Sequence, residues 1–336
     1  GYSTRRVRIL GLDQERRNVK REQFVKTKNL GTSWEEIEKA VEILRLGGLV
    51  AVPTETVYGL AADATNEEAV SKIFKAKGRP AYNPLIIHVK NTKMAKEFAQ
   101  WNKAAEALAE KFWPGPLTIV LPSKKNSKIA KTACANLPSV AVRMPNHPVT
   151  LKILDQLQRP LAAPSANLSG KISSTSTNHV LKNLNQKIDA IVDAGNSAVG
   201  VESTIVTFKP KPTILRTGFI TPEAISNALG MKTTHYDEAG PVIAPGQMKS
   251  HYCPNANLRL NATDWRQGEK KLGFGNVECD LNLSKDQSLM EAAQNLFNFL
   301  HILDNFDTKT ISVSPIPNEG IGLAINDRLI RAAIND

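Results

Sequence analysis

Cationic side chains stand at two places in this sequence where their surroundings favour ligand binding over exposure to water. Arg79 lies between Gly78 and Pro80, and Arg143 ends an alternating apolar segment. Arginine and lysine donate charge-assisted hydrogen bonds to phosphate and carboxylate groups, and arginine can donate two such bonds in parallel. We therefore predict that Arg79, Arg143 and the neighbouring Lys77 bind an anionic ligand.

Two loops rich in hydroxyl and amide groups each follow a predicted strand. Residues 53–59 follow the strand Leu49–Val52, and residues 164–170 follow the strand Pro160–Ala163. Such side chains also form turns and helix caps, so the loops alone leave both a ligand site and a plain turn open. His88, inside an apolar strand, is similarly open between a catalytic base and a buried core histidine.

Sequence motifs that identify several common enzyme classes are missing. The chain contains no GxxxxGK[ST] phosphate loop, no GxGxxG after a strand, no HExxH zinc motif and no GxSxG nucleophile elbow. Any phosphate group must therefore be bound by other loops. Residue types and spacing alone predict an α/β protein that binds a small anion, and they do not specify a reaction.

Apolar strands and amphipathic helices together predict an α/β fold with a twisted sheet of mixed parallel and antiparallel strands. Capping boxes predict that helices begin after Ser33 and near Thr65, and Gly47 and Gly78 predict where they end. Further elements are predicted as helices Ala95–Trp113, His147–Gln158 and one after Thr221, and as strands Leu85–Val89, Leu117–Leu121, Ser139–Met144, Ala190–Val192, Thr204–Phe208 and Thr213–Arg216.

A second, smaller α/β unit is predicted beyond a segment rich in Pro and Gly, Pro241–Pro254. Ser284 and Gln287 form a capping box that predicts a helix from about Asp286. A strand at Thr310–Val313 and a final helix near Leu323–Ala333 complete the unit. The expected domain bounds are a basic tail at 1–31, a first domain at 32–238, a linker or lid at 239–256 and a C-terminal α/β domain at 257–336.

The net charge is unevenly distributed along the 336 residues. Of a formal charge of +11, residues 1–30 contribute +6, from nine Lys or Arg and three Asp or Glu. A solvated leader and an RNA-binding arm both remain open for this segment. No apolar run suits a membrane span or a signal peptide, so we expect no membrane association. Three widely spaced cysteines indicate a reducing compartment, and we expect a cytoplasmic location.

Four segments, in order, resemble the motifs of the YrdC-type threonylcarbamoyl-AMP synthases. They are Pro53–Leu60, Lys77–Pro80, Pro164–Asn167 and Gly200–Thr204. The similarity extends from about Thr32 to the C-terminus, as in the long form of the family. It implies a YrdC-like catalytic domain with a mixed sheet, and a smaller Rossmann-like C-terminal α/β domain.

The resemblance implies a reaction. Members of that family convert L-threonine, bicarbonate and ATP into threonylcarbamoyl-AMP and pyrophosphate, for threonylcarbamoyl-adenosine modification of tRNA next to the anticodon. ATP is the implied nucleotide substrate, Mg²⁺ is expected on its phosphates, and no metal ligands are identified in the sequence. The implied downstream partner is a tRNA threonylcarbamoyltransferase.

The resemblance also assigns roles to residues at matching positions. The catalytic positions are Lys77, Arg79, Ser165 and Asn167. The threonine-binding positions are Thr56, His88, Arg143 and Ser203. The nucleotide-binding positions are Arg79, Asn83, Ser139, Ser165, Ser173, Arg216 and Tyr252. In the linker motif, Tyr252 is expected to close the site and keep water from the mixed anhydride.

Two other functions remain open at this stage. A non-catalytic protein that binds double-stranded RNA or tRNA would use the basic tail, although no basic segment outside the tail is interleaved with aromatic residues. A related carbamoyl transfer to another acceptor would not require threonine. Dependence of pyrophosphate release on threonine distinguishes these functions from the synthase.

Overall fold

The computed structural model describes residues 25–235 and 240–334 of the chain. These residues form one large mixed sheet and one small parallel sheet, which confirms the predicted α/β class. The strands are β1 (Lys28–Leu30), β2 (Val50–Val52), β3 (Gly59–Asp63), β4 (Ile86–His88), β5 (Leu117–Pro122), β6 (Ser139–Arg143), β7 (Leu161–Ala162), β8 (Ala190–Val192), β9 (Thr204–Thr207), β10 (Thr213–Arg216), β11 (Thr234–His235), β12 (Asn257–Arg259), β13 (Lys270–Gly273), β14 (Leu281–Asn282) and β15 (Thr310–Val313).

The helices within the same residues are amphipathic, and their apolar sides enter the hydrophobic cores. A short 3₁₀-helix, Lys131–Cys134, accompanies them. The α-helices are α1 (Trp34–Arg45), α2 (Glu67–Lys77), α3 (Thr92–Lys96), α4 (Lys103–Phe112), α5 (Pro148–Leu157), α6 (Thr177–Leu184), α7 (Pro222–Leu229), α8 (Leu289–Leu303) and α9 (Gly322–Ala332).

The helix caps confirm one predicted start and correct two. The Oγ of Ser33 accepts a hydrogen bond from the N–H of Glu36, as predicted for α1. Helix α2 is capped by Asn66 rather than Thr65, whose hydroxyl donates to a carboxylate instead. Helix α8 is capped by Ser288, four residues beyond the predicted Ser284. The predicted helix 95–113 is wrong, because Asn102 starts a separate helix, α4, after α3 has ended.

The large sheet has the strand order β1-β8-β2-β3-β7-β4-β6-β5-β9-β10-β11. Parallel neighbours such as β4 and β6 alternate with antiparallel neighbours such as β5 and β6. Along β6, Val140 and Val142 enter the main hydrophobic core, while Ala141 packs in a different cluster on the opposite face. Arg143 shares the face of Ala141, as the alternating pattern predicted.

The small sheet is entirely parallel, with the order β12-β15-β13-β14. Helices α8 and α9 pack with it to form a second hydrophobic core. That core also contains Val57 and Val201 from the first unit, and Tyr252 from the linker. The C-terminal unit is therefore packed directly against the first unit.

Several elements were not predicted from the sequence. Lys28–Leu30, within the predicted tail, forms β1 and pairs with β8, while residues 1–24 lie outside the described residues. Strand β3 is buried on both faces, so it lacks the apolar–polar alternation by which strands are recognised. Helix α6 was also missed. Among the described residues, no helix is long and apolar enough to cross a membrane.

Candidate active site

A cavity of about 50 Å³ lies against the Ala141 face of the large sheet. Strand β4 contributes His88, β6 contributes Arg143 and β10 contributes Arg216 to its walls. The two hydroxyl-rich loops and the linker complete the enclosure, and linker residue Tyr252 is among the lining residues. The site is thus built on a sheet face and closed by loops.

Backbone hydrogen bonds hold the two hydroxyl-rich loops next to each other. The N–H of Leu60 donates to the carbonyl of Pro164 at 2.7 Å, and the N–H of Ala166 donates to the carbonyl of Tyr58 at 2.8 Å. This places Thr56 and the loop beginning at residue 164 on the same cavity. The loops are therefore fixed by the sheet and form a defined site.

Two buried arginines line the cavity and bond only to uncharged oxygen atoms among the described residues. The Nε of Arg79 donates to the carbonyl of Asn83 at 3.0 Å, and its Nη2 donates to the carbonyl of Pro84 at 2.7 Å. The Nε of Arg216 donates to the carbonyl of Ser203 at 2.9 Å, and its Nη2 donates to the Ser203 hydroxyl at 3.1 Å. Burial, and next the charge of Arg216, lower the pKa of Arg79 to about 9.

Lys77 is a third buried cation of this kind, at the end of α2. Its ammonium group donates to the backbone carbonyls of Ser165 and Asn167, which ties α2 to the second loop. Burial, and next the charge of Arg79, lower the pKa of Lys77 well below its ordinary value. An anionic ligand in the cavity would counter both effects, because an opposite charge favours the protonated amine.

Arg143 differs from these three cations because it has a carboxylate partner. Its Nη1 lies 2.6 Å from Oε1 of Glu55, and its Nη2 donates to the Thr56 hydroxyl at 3.1 Å. The second oxygen of Glu55 accepts from the N–H of Asn146 at 2.6 Å. The Nε of Arg143 is buried and has no hydrogen-bond partner among the described residues. This donor is available to a ligand.

His88 lies beside Arg143 in the paired strands β4 and β6. Burial, and next the charge of Arg143, lower the pKa of His88 to about 3. Its Nδ1 lies 3.1 Å from the carbonyl of Ile86, so the tautomer with the proton on Nδ1 donates a hydrogen bond there. At neutral pH, His88 is therefore an uncharged hydrogen-bonding group.

The linker covers the cavity through close contacts. Gly246 has φ +82°, and a Cβ atom there would lie 2.3 Å from Cδ of Arg216, so only glycine allows this approach. The ring of His251 stacks on Tyr252 at 3.9 Å, and Ala244 joins the cluster on the sheet face. Burial, and next the charge of Arg79, lower the pKa of His251 well below its ordinary value.

Buried polar atoms without hydrogen-bond partners concentrate around the cavity. Native proteins leave few such atoms, and each one calls for an explanation. A ligand with several donors and acceptors would satisfy those that line the cavity. On lining residues these atoms are Nε of Arg143, both carboxylate oxygens of Glu202 and the hydroxyl of Tyr252, and on residues that do not line it they include Oδ1 of Asn83, Oδ1 of Asn167 and Oγ of Ser173.

The residues assigned by resemblance fall into two groups in space. Those that line the cavity are Thr56, Arg79, His88, Arg143, Ser165, Ser203, Arg216 and Tyr252. Those that do not line it are Lys77, Asn83, Ser139, Asn167 and Ser173. Lys77, Asn83 and Asn167 lie directly behind it, through their bonds to lining loops. Ser139 pairs with Pro122 at the other end of β6, and the carbonyl of Ser173 bonds to His301 of the C-terminal unit.

Two acidic residues of the site received no predicted role. Glu55 is 88 residues from its partner Arg143, and Glu202 lines the cavity beside Ser203. Both stand inside the quoted motifs, and this position was the only signal of their importance. Long-range ion pairs are not visible in local spacing.

Comparison of the sequence with protein-family models identifies the family of this chain. A family model for Sua5, YciO and YrdC proteins, described as telomere recombination, matches residues 42–218, more than half of the chain. The chain belongs to this family. A second model, described as the C-terminal domain of threonylcarbamoyl-AMP synthase, matches residues 220–334, which confirms the two-domain form.

Relatives of similar length support this family membership. The threonylcarbamoyl-AMP synthase of Pyrococcus abyssi is 39% identical over 324 residues, covering 89% of this chain and 94% of the relative. That of Bacillus subtilis is 36% identical over 331 residues, covering 91% and 95%. The crystal structure of P. abyssi Sua5 complexed with L-threonine has a TM-score of 0.82 at 35% identity, covering 91% of this chain and 97% of that one.

Proposed function

We propose that this protein is an L-threonylcarbamoyladenylate synthase, a nucleotidyltransferase that supplies the threonylcarbamoyl group for tRNA modification next to the anticodon. The observation that carries the proposal is the set of three buried cations, Lys77, Arg79 and Arg216, which bond only to uncharged oxygens among the described residues and lie around one cavity. A buried charge without a counter-ion is costly unless a ligand neutralises it. The phosphates of ATP carry that charge.

The chemistry requires positioning more than an activated protein nucleophile. The amine of L-threonine and bicarbonate form a carbamate with loss of water, and a carbamate oxygen attacks the α-phosphorus of ATP. The bond from the α-phosphorus to the bridging oxygen breaks, and pyrophosphate leaves. The protein would hold both reactants in line and stabilise the developing negative charge.

Each cluster of residues has a proposed task in this reaction. Arg79, Arg216 and Lys77 would hold the nucleotide, together with Asn83, Ser139, Ser165, Asn167 and Ser173. Thr56, His88 and Ser203 would surround threonine, with its carboxylate at the free Nε of Arg143. Mg²⁺ would enter on the ATP phosphates and keep several waters, since the described residues hold no group of three potential metal ligands.

The linker must move during the reaction cycle. A cavity of about 50 Å³ holds a few water molecules, whereas ligand sites commonly measure roughly 300–1,000 Å³. We propose that the linker, with Tyr252, opens to admit ATP and closes to keep water from the mixed anhydride. The product would then pass to a tRNA threonylcarbamoyltransferase in the cytoplasm.

Pyrophosphate release from ATP and bicarbonate, with and without L-threonine, tests the proposal. We expect release that depends on threonine, and a loss of about a hundredfold in Arg143→Lys because lysine cannot reproduce the fork to Glu55 and Thr56. Arg159→Lys is the matched control, since that arginine pairs with Asp63 outside the cavity.

The other outcomes separate the remaining functions. Release without threonine would overturn threonine as the acceptor and leave the nucleotide site intact. No release under any condition, together with salt-sensitive RNA binding, would favour an RNA-binding protein instead. A product that carries both AMP and threonine, identified by mass, would exclude simple ATP hydrolysis.

A further inference from the structure

An arginine of the C-terminal unit reaches the wall of the cavity without lining it. Arg328, on α9, is 1% exposed, which makes it one of the largest fully buried side chains among the described residues. Its Nη1 donates to the carbonyl of Thr217, and its Nη2 donates to the carbonyl of Glu202 at 3.2 Å. No motif in the sequence predicts a role for this residue.

The two carbonyls that Arg328 binds belong to the chain neighbours of Ser203 and Arg216, which both line the cavity. Glu202 directly precedes Ser203, and Thr217 directly follows Arg216. Arg216 in turn donates to both the carbonyl and the hydroxyl of Ser203. A single guanidinium therefore fixes the distance between the segments that carry Ser203 and Arg216.

Arg328 also contacts the linker and an otherwise unbonded carboxylate. Its guanidinium carbon lies 5.6 Å from the ring centre of Tyr252, within the range of a cation–π contact. Its Nε lies 3.7 Å from Oε2 of Glu202, and the Glu202 carboxylate has no hydrogen bond to the described residues. Three parts of the cavity wall thus meet at one side chain of the C-terminal unit.

The packing around Arg328 gives the C-terminal unit a fixed position on this wall. Gly200, with φ +88°, lies so close to α8 that a Cβ atom there would be 2.7 Å from the carbonyl oxygen of Ala293. Val201, the next residue, belongs to the C-terminal hydrophobic core. The segment that leads to Ser203 is therefore enclosed by the C-terminal unit, and a shift of α9 would move it.

We infer that Arg328 is a positioning residue through which the C-terminal unit aligns Ser203, Arg216 and Tyr252 for catalysis. The inference rests on the proposed function and assigns a task to the C-terminal unit. A purely structural role would require only that Arg328 keep the two units together. A positioning role additionally requires that its effect on the reaction depend on Tyr252 and on the geometry of the guanidinium fork.

The test compares full-length variants in threonine-dependent pyrophosphate release. In Arg328→Met we expect kcat/KM to fall by about tenfold to a hundredfold, because small misplacements of positioning groups cost rates of this order. Arg328→Lys should fall nearly as far, since an ammonium group cannot bind both carbonyls in the same geometry. Arg259→Met is the matched control. Arg259 lies on β12 and pairs with Glu269, away from the cavity. The kcat/KM of this variant should stay within about twofold of wild type.

A double-mutant cycle with Tyr252→Ala separates positioning from stability. If the two residues act together, introducing Arg328→Met into the Tyr252→Ala variant will lower kcat/KM further by less than about threefold. Fully multiplicative losses, or wild-type activity in Arg328→Lys, would overturn the inference. If Arg328→Met does not fold, Arg328→Lys carries the cycle. A wild-type protein without threonine-dependent release would instead overturn the proposed function.

Discussion

The two sides of the cavity differ in whether a buried positive charge is paired with a carboxylate. On one side, Arg143 is paired with Glu55 at 2.6 Å. On the other side, Arg79 and Arg216 donate only to carbonyl and hydroxyl groups among the described residues, and Lys77 does the same behind them. The positive charge on the first side has a counter-ion without any ligand, and the charges on the second side have none among the described residues.

This difference indicates where an anionic ligand gains most. A polyphosphate would neutralise three buried cations that have no counter-ion among the described residues, and Coulomb interactions are strong in a site that excludes water. A single carboxylate would instead meet the guanidinium of Arg143, whose Nε has no partner among the described residues. We therefore expect the unpaired side to govern nucleotide binding and the paired side to govern both stability and the smaller substrate.

The largest expected effect is on stability, at the paired side. Arg143→Met leaves the Glu55 carboxylate buried and unpaired, so the free energy of unfolding should fall by about 3–5 kcal/mol. Adding Glu55→Gln should recover part of that loss, because the second substitution removes the stranded charge. Urea unfolding of the three proteins measures the difference. Equal stability of Arg143→Met and wild type would contradict a structural ion pair.

Replacing an arginine by methionine on the unpaired side should lower the reaction rate more than the stability of the protein. Arg79→Met removes a buried charge that has no counter-ion, and it leaves the carbonyls of Asn83 and Pro84 without a donor. These effects oppose each other, so we expect the free energy of unfolding to change by less than about 1 kcal/mol. Threonine-dependent pyrophosphate release should fall about 10²- to 10³-fold. A large loss of stability with intact catalysis would reverse the comparison.

A smaller effect is expected where the linker rests on the unpaired side. Gly246→Ala places a methyl group against Arg216 and adds strain at φ +82°, so the closed linker should be displaced and the rate should fall about tenfold. Gly230→Ala is the matched control, because its φ is +66° and, apart from its chain neighbours, no described residue has an atom within 4 Å of the added Cβ. The control should lose about 1 kcal/mol of stability and no activity. Similar rates in the two variants would show that the linker contact is not required.

The sequence predicted the cations of the site better than their partners. Arg79 and Arg143 stood out because of their immediate neighbours, and both line the cavity. The pairing of Arg143 with Glu55 joins residues 88 positions apart, and that of Arg328 with Glu202 joins residues 126 positions apart. Such contacts depend on the packing of the whole sheet and of both units. Local spacing therefore could not distinguish the paired cation from the unpaired ones.

Local sequence also could not predict where an element begins or how far along a strand a residue lies from the cavity. The alternating pattern of β6 correctly predicted that Ser139 and Arg143 share a face, but four residues of strand separate them by about 13 Å. That distance places Ser139 at the far end, beside Pro122. Asn66 rather than Thr65 caps α2, although both residue types suit the position. The pattern gives the face and the element, and tertiary packing decides the register.

The last and smallest expected effect is the uptake of a proton when ATP binds. In the protein without ligand, burial and the charge of Arg79 lower the pKa of Lys77 well below its ordinary value, so at alkaline pH part of the population carries a neutral amine. Binding of ATP adds negative charge nearby, which raises this pKa and draws a proton from solution. We expect ATP binding at alkaline pH to take up a fraction of a proton, measured by calorimetry in two buffers of different ionisation enthalpy.

Lys77→Met identifies the source of that proton. The variant retains the paired and unpaired arginines but has no amine behind the second loop, so its binding heat should depend less on the buffer than that of the wild type, and the remaining dependence should come from Arg79, whose pKa is lowered to about 9. Uptake should disappear as the pH falls below the lowered pKa of Lys77, since the amine is then charged before ATP binds. Buffer-independent binding by the wild-type protein would mean that Lys77 is already charged before ATP arrives, and that the unpaired side is neutralised from elsewhere.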